Sequence, residues 1–286
     1  DRKKAIVMGL FSRSKTSKPR ALAFVDYEHW FYSYKNLFSM TPDLEAWRDE
    51  LQEYFELEDI LVFANFSVNY IAPEREKLEK LGARVIHTGI AQESSDKDYT
   101  DFIMLDHIYQ AATRKDIEVY VIFTGDGHFG SAVRYIRNKL NKRVIVYGVN
   151  RALSGRLKSE ASSYVEMPRY EQEQQFYIDL VLNTLERLTL QKKDPTYRRT
   201  IDGVAKSSRV ARDRIKWAMD YLMEKGYVSE RKVKVRTSTG GKNSAKDGGK
   251  AGADDAGKKQ NAEQAVKVLS VDWNAIKKDG IWGKLK

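Results

Sequence analysis

Val121-Ile-Phe-Thr-Gly-Asp126-Gly-His128-Phe129 is the stretch that decides the fold. Val119 to Phe123 is an apolar run of β type. Thr-Gly-Asp-Gly follows it, and Ala132, Val133, Ile136 and Leu140 then recur at helical spacing. The pattern predicts a strand, a tight glycine turn and a helix start. It sets the carboxylate of Asp126 at the carboxyl end of a strand, where open parallel α/β sheets place their chemistry.

Working outward, the same alternation repeats. Ala21 to Val25, Asp59 to Asn65, Ala83 to His87, Ile117 to Phe123, Lys142 to Tyr147 and Tyr164 to Met167 read as six strands. Between them, helices are predicted over Tyr27 to Phe38, from Pro42-Asp43 through about Tyr54, from Pro73 to Gly82, over Tyr99 to Arg114, Phe129 to Leu140 and Leu153 to Leu157. Pro73 suits a first helical turn, and Gly82 a helix end. In the Tyr99 helix, Phe102, Leu105, Ile108 and Tyr109 are expected on one side. Alternating strands and helices predict a doubly wound parallel sheet, an α/β fold with right-handed crossovers. Trp30, Phe31 and Tyr34, from the aromatic cluster after Asp26, are expected in the core. Exposed rings of that cluster would suit stacking on unpaired bases.

Pro168 to Gln175 reads as a polar bridge, and a different pattern follows. Helices are expected over Phe176 to Leu190, Tyr197 to Lys206 and Arg209 to Lys225, the last with Ser207-Ser208 as its N-cap and Gly226 as its stop. Tyr227 to Val235 and Ala265 to Val271 alternate as strands, and Trp273 and Trp282 need somewhere to pack. Residues 237–263 hold no aromatic or large aliphatic side chain and read as a disordered loop. Three helices with a two-stranded ribbon and a long tip make a winged-helix pattern. The expected domains are therefore a disordered basic tail at 1–20, an α/β domain at 21–168 and a smaller winged-helix-like α+β domain at 174–286 with a disordered wing loop at 237–263.

The charge is unevenly placed. The chain of 286 residues is +10 overall, with +6 in residues 1–20, −5 in 21–170 and +9 in 171–286. An acidic centre between basic ends suggests a bound cation flanked by polyanion-binding arms, although basic tails also confer solubility. Cysteine is absent, which excludes disulfides and thiolate metal sites and leaves oxygen and imidazole as ligands. No apolar run approaches the ~18 residues of a membrane span. Met8-Gly9-Leu10 reads as a start, without the pattern of a signal peptide or myristoylation site. A cytoplasmic location is expected, and the oligomeric state is left open.

Asp26 ends the first strand, Asp126 ends the fourth, and Asp98 and Asp101 sit where the Tyr99 helix begins. Leu105 and Ile108 continue beyond Asp101 on the expected buried side, whereas Asp106 faces elsewhere. A lone strand-end aspartate is usually a turn or cap residue. Three brought together repel one another, and a hard cation, Mg2+ or Mn2+, resolves the repulsion. Glu28 is a further candidate for the same cleft. Thr124 reads first as a helix cap, and Asn65 and Asn150 read equally well as turn residues or as lining of that edge.

Ala21-Leu-Ala-Phe-Val-Asp26-Tyr-Glu-His29, Lys97-Asp-Tyr-Thr-Asp101 and Thr124-Gly-Asp126-Gly-His128-Phe129, with Lys142-Arg-Val-Ile-Val-Tyr-Gly148 beyond, resemble in order and spacing the NYN-domain proteins of the PIN-like nuclease superfamily. The resemblance covers roughly residues 20–168. It implies a PIN-like sheet and a divalent-metal-dependent endoribonuclease with Asp26, Asp101 and Asp126 as the matched acids. Asp98 and His128 are expected to assist them. Two positions depart from the pattern. The family often has Asn where His29 stands and a further Asp where His128 stands, so this site carries less negative charge. His128 is open to ligation or to packing, and His29 is expected to pack.

In the C-terminal part, Arg209, Arg212 and Lys216 fall at i, i+3 and i+7 of the expected helix. Ala211, Ile215, Ala218 and Leu222 form the adjoining apolar stripe. Arg231, Lys232, Lys234 and Arg236 lie on the ribbon. These cations suit phosphate contacts, with RNA as the expected partner and DNA the other candidate. The function expected is metal-dependent hydrolysis of RNA phosphodiesters. The alternative is a catalytically inactive nucleic-acid-binding regulator on a nuclease fold.

Overall fold

Apolar runs flanked by helices on both sides must bury both faces of each strand, and the central strands Arg20–Asp26, Val119–Phe123 and Arg143–Val149 do so. The computed structural model describes residues 17–89, 99–236 and 263–283. Residues 1–16, Asp98 and residues 237–262 lie outside the described residues. With them fall most of the expected tail, one assisting acid and the expected wing loop. The chain divides into two units, residues 1–173 and 174–286.

In the first unit, β1 (Arg20–Asp26), β2 (Glu56–Ala64), β3 (Arg84–His87), β4 (Val119–Phe123), β5 (Arg143–Val149) and β6 (Ser163–Met167) form one sheet. The strand order is β3-β2-β1-β4-β5-β6, and every neighbouring pair is parallel. Alternate side chains serve two cores. Ala23, Val25, Val62, Val121 and Phe123 pack with α1 (Tyr27–Phe38) and α2 (Leu44–Tyr54) on one face. Phe24, Phe63, Tyr120, Ile122 and Val146 pack with α4 (Tyr99–Ala112), α5 (Gly130–Asn138) and α6 (Gly155–Glu160) on the other. The short α3 (Glu74–Lys80) precedes β3, and Leu78 anchors it to the first core. Trp30, Phe31 and Tyr34 are buried, and Trp30 stacks on Phe123 with ring centroids 4.0 Å apart. The order reverses between β1 and β4. That makes their carboxyl ends the switch point of the sheet, where a crevice opens for ligands.

One expected face is corrected. The buried stripe of α4 is Met104, Ile108 and Ala112, while Phe102 is 66% exposed. Asp101 lies three residues before Met104 and seven before Ile108, so it heads the buried stripe.

In the second unit, α7 (Tyr170–Leu190), α8 (Tyr197–Ser208) and α9 (Arg212–Glu224) precede an antiparallel ribbon and the short α10 (Trp273–Lys278). The ribbon consists of β7 (Val228–Arg236) and β8 (Glu263–Val271). Val181, Leu185, Val204, Ile215, Leu222 and Ile276 share one core, and Trp282 is buried in it with its ring 5.6 Å from Trp273.

Two boundaries differ from expectation. The helix expected to open at Phe176 starts at Tyr170. Glu171 and Glu173 lie in its first turn, and the Gln172 side chain accepts from the Arg169 N–H at 2.9 Å. Acids and a back-reaching glutamine stabilise a polar first turn. Ser207 and Ser208 are not an N-cap, because both hydroxyls donate to the Val204 carbonyl within the last turn of α8. Arg209 follows in the left-handed region, φ 58°, and ends that helix. It therefore lies outside α9, and the expected helical stripe of Arg209, Arg212 and Lys216 does not form. Ala211, at the start of α9, is exposed, and Met219 completes the buried face in its stead.

Candidate active site

β1 and β4 are adjacent in the sheet, so residues nearly 100 positions apart in sequence end side by side. Asp26 leaves β1 as the N-cap of α1, its Oδ1 accepting from the His29 N–H at 3.0 Å. The Thr124 hydroxyl, at the end of β4, donates to Asp26 Oδ2 at 3.0 Å and accepts from the Asp126 N–H at 3.2 Å. One buried hydroxyl thus ties the two strand-end acids together. This corrects the reading of Thr124 as a helix cap. Asp126 is the cap here, its Oδ1 accepting from the His128 N–H at 2.8 Å.

Asp101, Asp126 and His128 each offer a ligand atom, and these atoms all lie within 4.8 Å of one another. His128 Nδ1 is 3.3 Å from Asp126 Oδ1, and its side chain is 77% exposed. Asp26 lies outside this group of three but within its electrostatic reach. Burial is the main cause that pushes the Asp26 carboxyl up to about 7, and the charges of Asp101 and Glu28 add to it. The His29 N–H and the Thr124 hydroxyl pull the other way. Two carboxylates and an imidazole suit a divalent cation held by oxygen and nitrogen. The repulsion felt by Asp26 is of the kind a bound cation relieves.

Glu28 has a part that sequence reasoning barely registered. Its Oε1 accepts from the Asn65 N–H at 2.6 Å and from the Thr100 hydroxyl at 3.5 Å, and Thr100 meets the Thr88 hydroxyl at 2.6 Å. The ends of β2 and β3 are thereby joined to the first turn of α4, which carries Asp101. Asn65 acts as a turn residue, its Oδ1 accepting from the Ser67 N–H. The Asn150 N–H donates to the Met167 carbonyl. His29 packs as expected. Its Nε2 is buried without a hydrogen-bond partner among the described residues, and burial lowers its pKa against the pull of Asp126. A Cβ at Gly125 would run into His29 and into the Ala152 carbonyl oxygen, which explains glycine between Thr124 and Asp126.

The basic residues singled out in the second unit occupy several settings. Arg212 pairs with Asp202 at 2.6 Å, Lys216 with Asp220 at 2.5 Å and Arg231 with Asp194 at 3.3 Å. Lys232 stands directly opposite Lys267, and Lys234 opposite Ala265. Alternation along the ribbon therefore puts Lys232, Lys234 and Lys267 on one side and Arg231 on the other.

Among curated proteins none matches. A crystal structure of a protein of unknown function from Vibrio parahaemolyticus is similar at 20% identity, covering 55% of this chain and 97% of that one, with a TM-score of 0.48. The NYN domain family matches residues 20–171. NYN domains have a nuclease-like fold, typically act on RNA and generally depend on a divalent metal. Among the described residues no helix is long and apolar enough to cross a membrane. The matched span is more than half of the chain. It runs from the first residue of β1 into the first turn of α7 and takes in Asp26, Glu28, Asp101 and Asp126, so the chain belongs to the NYN domain family.

Proposed function

We propose that the chain is a metal-dependent endoribonuclease that hydrolyses RNA phosphodiesters at the carboxyl edge of the β1–β4 pair. The convergence of Asp101, Asp126 and His128 within 4.8 Å carries this reading. These three side chains would hold Mg2+ or Mn2+, and Asp26 adds a third carboxylate. Its two oxygens already accept hydrogen bonds, but each carboxylate oxygen keeps a further lone pair. Held by these residues, a divalent cation would supply an activated water and charge to stabilise an in-line displacement at phosphorus. The chain's own residues fix the geometry. Thr124 keeps Asp26 and Asp126 together, Glu28 holds the start of α4 and so Asp101, and His29 props the glycine turn as an uncharged imidazole.

The second unit would capture RNA as a winged-helix-like module. Support comes from its three helices and ribbon and from the ribbon side that carries Lys232, Lys234 and Lys267. Lys267 already pairs with Glu230 at 2.8 Å across the ribbon, so a phosphate would have to compete for it, and Lys232 directly opposite is the cation proposed to meet the phosphate backbone. Arg212, Lys216 and Arg231 already meet carboxylates, so a phosphate would have to compete for them. Arg209, in the turn between α8 and α9, remains a proposed contact.

The test is incubation of single-stranded RNA and DNA with the full chain in Mn2+, in Mg2+ and in EDTA. RNA cleavage in a divalent metal and its loss in EDTA are expected. Cleavage that survives chelation would refute the metal mechanism. Binding without cleavage in either metal would favour the inactive regulator, the reading motivated by His29 and His128 standing where the family often has Asn and Asp.

A further inference from the structure

Glu28, Tyr32 and Lys35 fall at i, i+4 and i+7 and therefore share one side of α1. They span about 10 Å of helix at 1.5 Å per residue. The stripe starts beside the acidic centre, because Glu28 follows Asp26 by two residues and its charge acts on Asp26. Tyr32 is half-buried, and burial first, then the nearby Glu28 carboxylate and Tyr70 phenol, push its own phenol up, which places the three groups together. At the far end, the exposed Lys35 extends its ammonium over the ring of Tyr70, 4.2 Å from the centroid, and Tyr70 is 66% exposed. Three residues on, the Phe38 ring carries the guanidinium of Arg151 at 5.7 Å. Arg151 adopts φ 71°, in a loop held to the acid-bearing turn by the Ser154 N–H donating to the Gly125 carbonyl at 3.0 Å.

Lys35 and Arg151 differ from most cations of this unit. Arg48, Lys77, Arg84, Arg114 and Lys158 are all ion-paired. Among the described residues, neither Lys35 nor Arg151 has a carboxylate partner, although residues 21–170 carry net −5. Both rest on rings instead. A ring contact at an exposed site is weak, about 0.5–1 kcal/mol, and leaves the charge for a stronger charge-assisted bond to phosphate. Tyr70 also offers an exposed π face, on which any base can stack. Uncompensated cations beside an exposed ring suit a polyanion that carries flat bases.

We propose that Tyr32, Lys35, Tyr70 and Arg151 form a strand-binding subsite for single-stranded RNA beside the acidic centre. The tyrosines stack a base, and the two cations hold flanking phosphates. The subsite rests on the nuclease reading for its substrate, but it is tested by binding alone. A fluorescent, sugar-methylated, non-cleavable RNA is titrated into the full chain in EDTA over a series of salt concentrations. Tyr70→Ala is expected to weaken binding about tenfold, with Tyr70→Phe close to wild type. Lys35→Gln and Arg151→Gln should each weaken binding several-fold and reduce the salt slope by about 1. Lys77→Gln, paired with Glu74 on α3, should change nothing. RNA carrying a photoreactive thiouridine should crosslink to Tyr70 or Tyr32. Wild-type binding by Tyr70→Ala and Lys35→Gln, with crosslinks only in residues 174–286, would overturn the subsite. Weakened binding by these variants in a chain that cleaves RNA in no metal would sink the nuclease reading and leave the subsite standing. Cleavage with unchanged binding would do the reverse.

Discussion

Asp126→Asn is expected to lower RNA cleavage on the order of 1,000-fold while leaving the fold intact. The substitution separates the two tasks of this side chain. As a cap, Asp126 accepts from the His128 N–H, and asparagine caps about as well. As a ligand, it brings negative charge to the group with Asp101 and His128, and asparagine cannot. The loss should therefore appear in single-turnover cleavage and not in circular dichroism or in RNA affinity. Activity within about tenfold of wild type would mean that the charge of Asp126 is not needed for the chemistry.

Asp26→Asn is expected to stabilise the metal-free protein at alkaline pH and to impair cleavage. The folded carboxyl is pushed up to about 7, mainly by burial and with help from Asp101 and Glu28. An unfolded aspartate titrates near 3.8. Between those values the folded state holds a proton that the unfolded state has released, so stability falls as pH rises, and the full loss is present above about 7. About three units correspond to about 4 kcal/mol at most. Asparagine has no charge to bury and still accepts from the His29 N–H. In thermal melts with EDTA, the variant should match wild type near pH 3, below the unfolded value, and exceed it by about 8 °C near pH 8.5. The same pH profile for both proteins would show that Asp26 carries no such strain. Added Mn2+ should narrow the gap by stabilising wild type.

Much of this was legible in the sequence because the first unit obeys simple patterns. Apolar runs ending in Asp26 and in Thr124-Gly125-Asp126 become β1 and β4, and α1 spans the residues expected. Strand order is different in kind. No local pattern says that β1 lies beside β4, and only that adjacency lets Thr124 bridge Asp26 and Asp126. The face of α4 was ambiguous because two apolar stripes run along it, and the one headed by Asp101 is the one buried. Ser207 and Ser208 misled because serine suits an N-cap, yet it also bonds back to a carbonyl three or four residues earlier inside a helix. Arg209 then took the left-handed position that glycine usually fills, which moved it off α9. The start of α7 was hidden by a polar first turn. Glu28 was visible as an acid near the site, but its bonds to Asn65 and Thr100 depend on elements distant in sequence.

The central claim is that Asp101, Asp126 and His128 bind a divalent cation. Equilibrium titration of the full chain with Mn2+, followed by the loss of the free-ion paramagnetic signal, tests it most directly. The account predicts a saturable site in wild type whose affinity falls at least about tenfold in Asp101→Asn and in Asp126→Asn. Equal Mn2+ binding by wild type and both variants would contradict it.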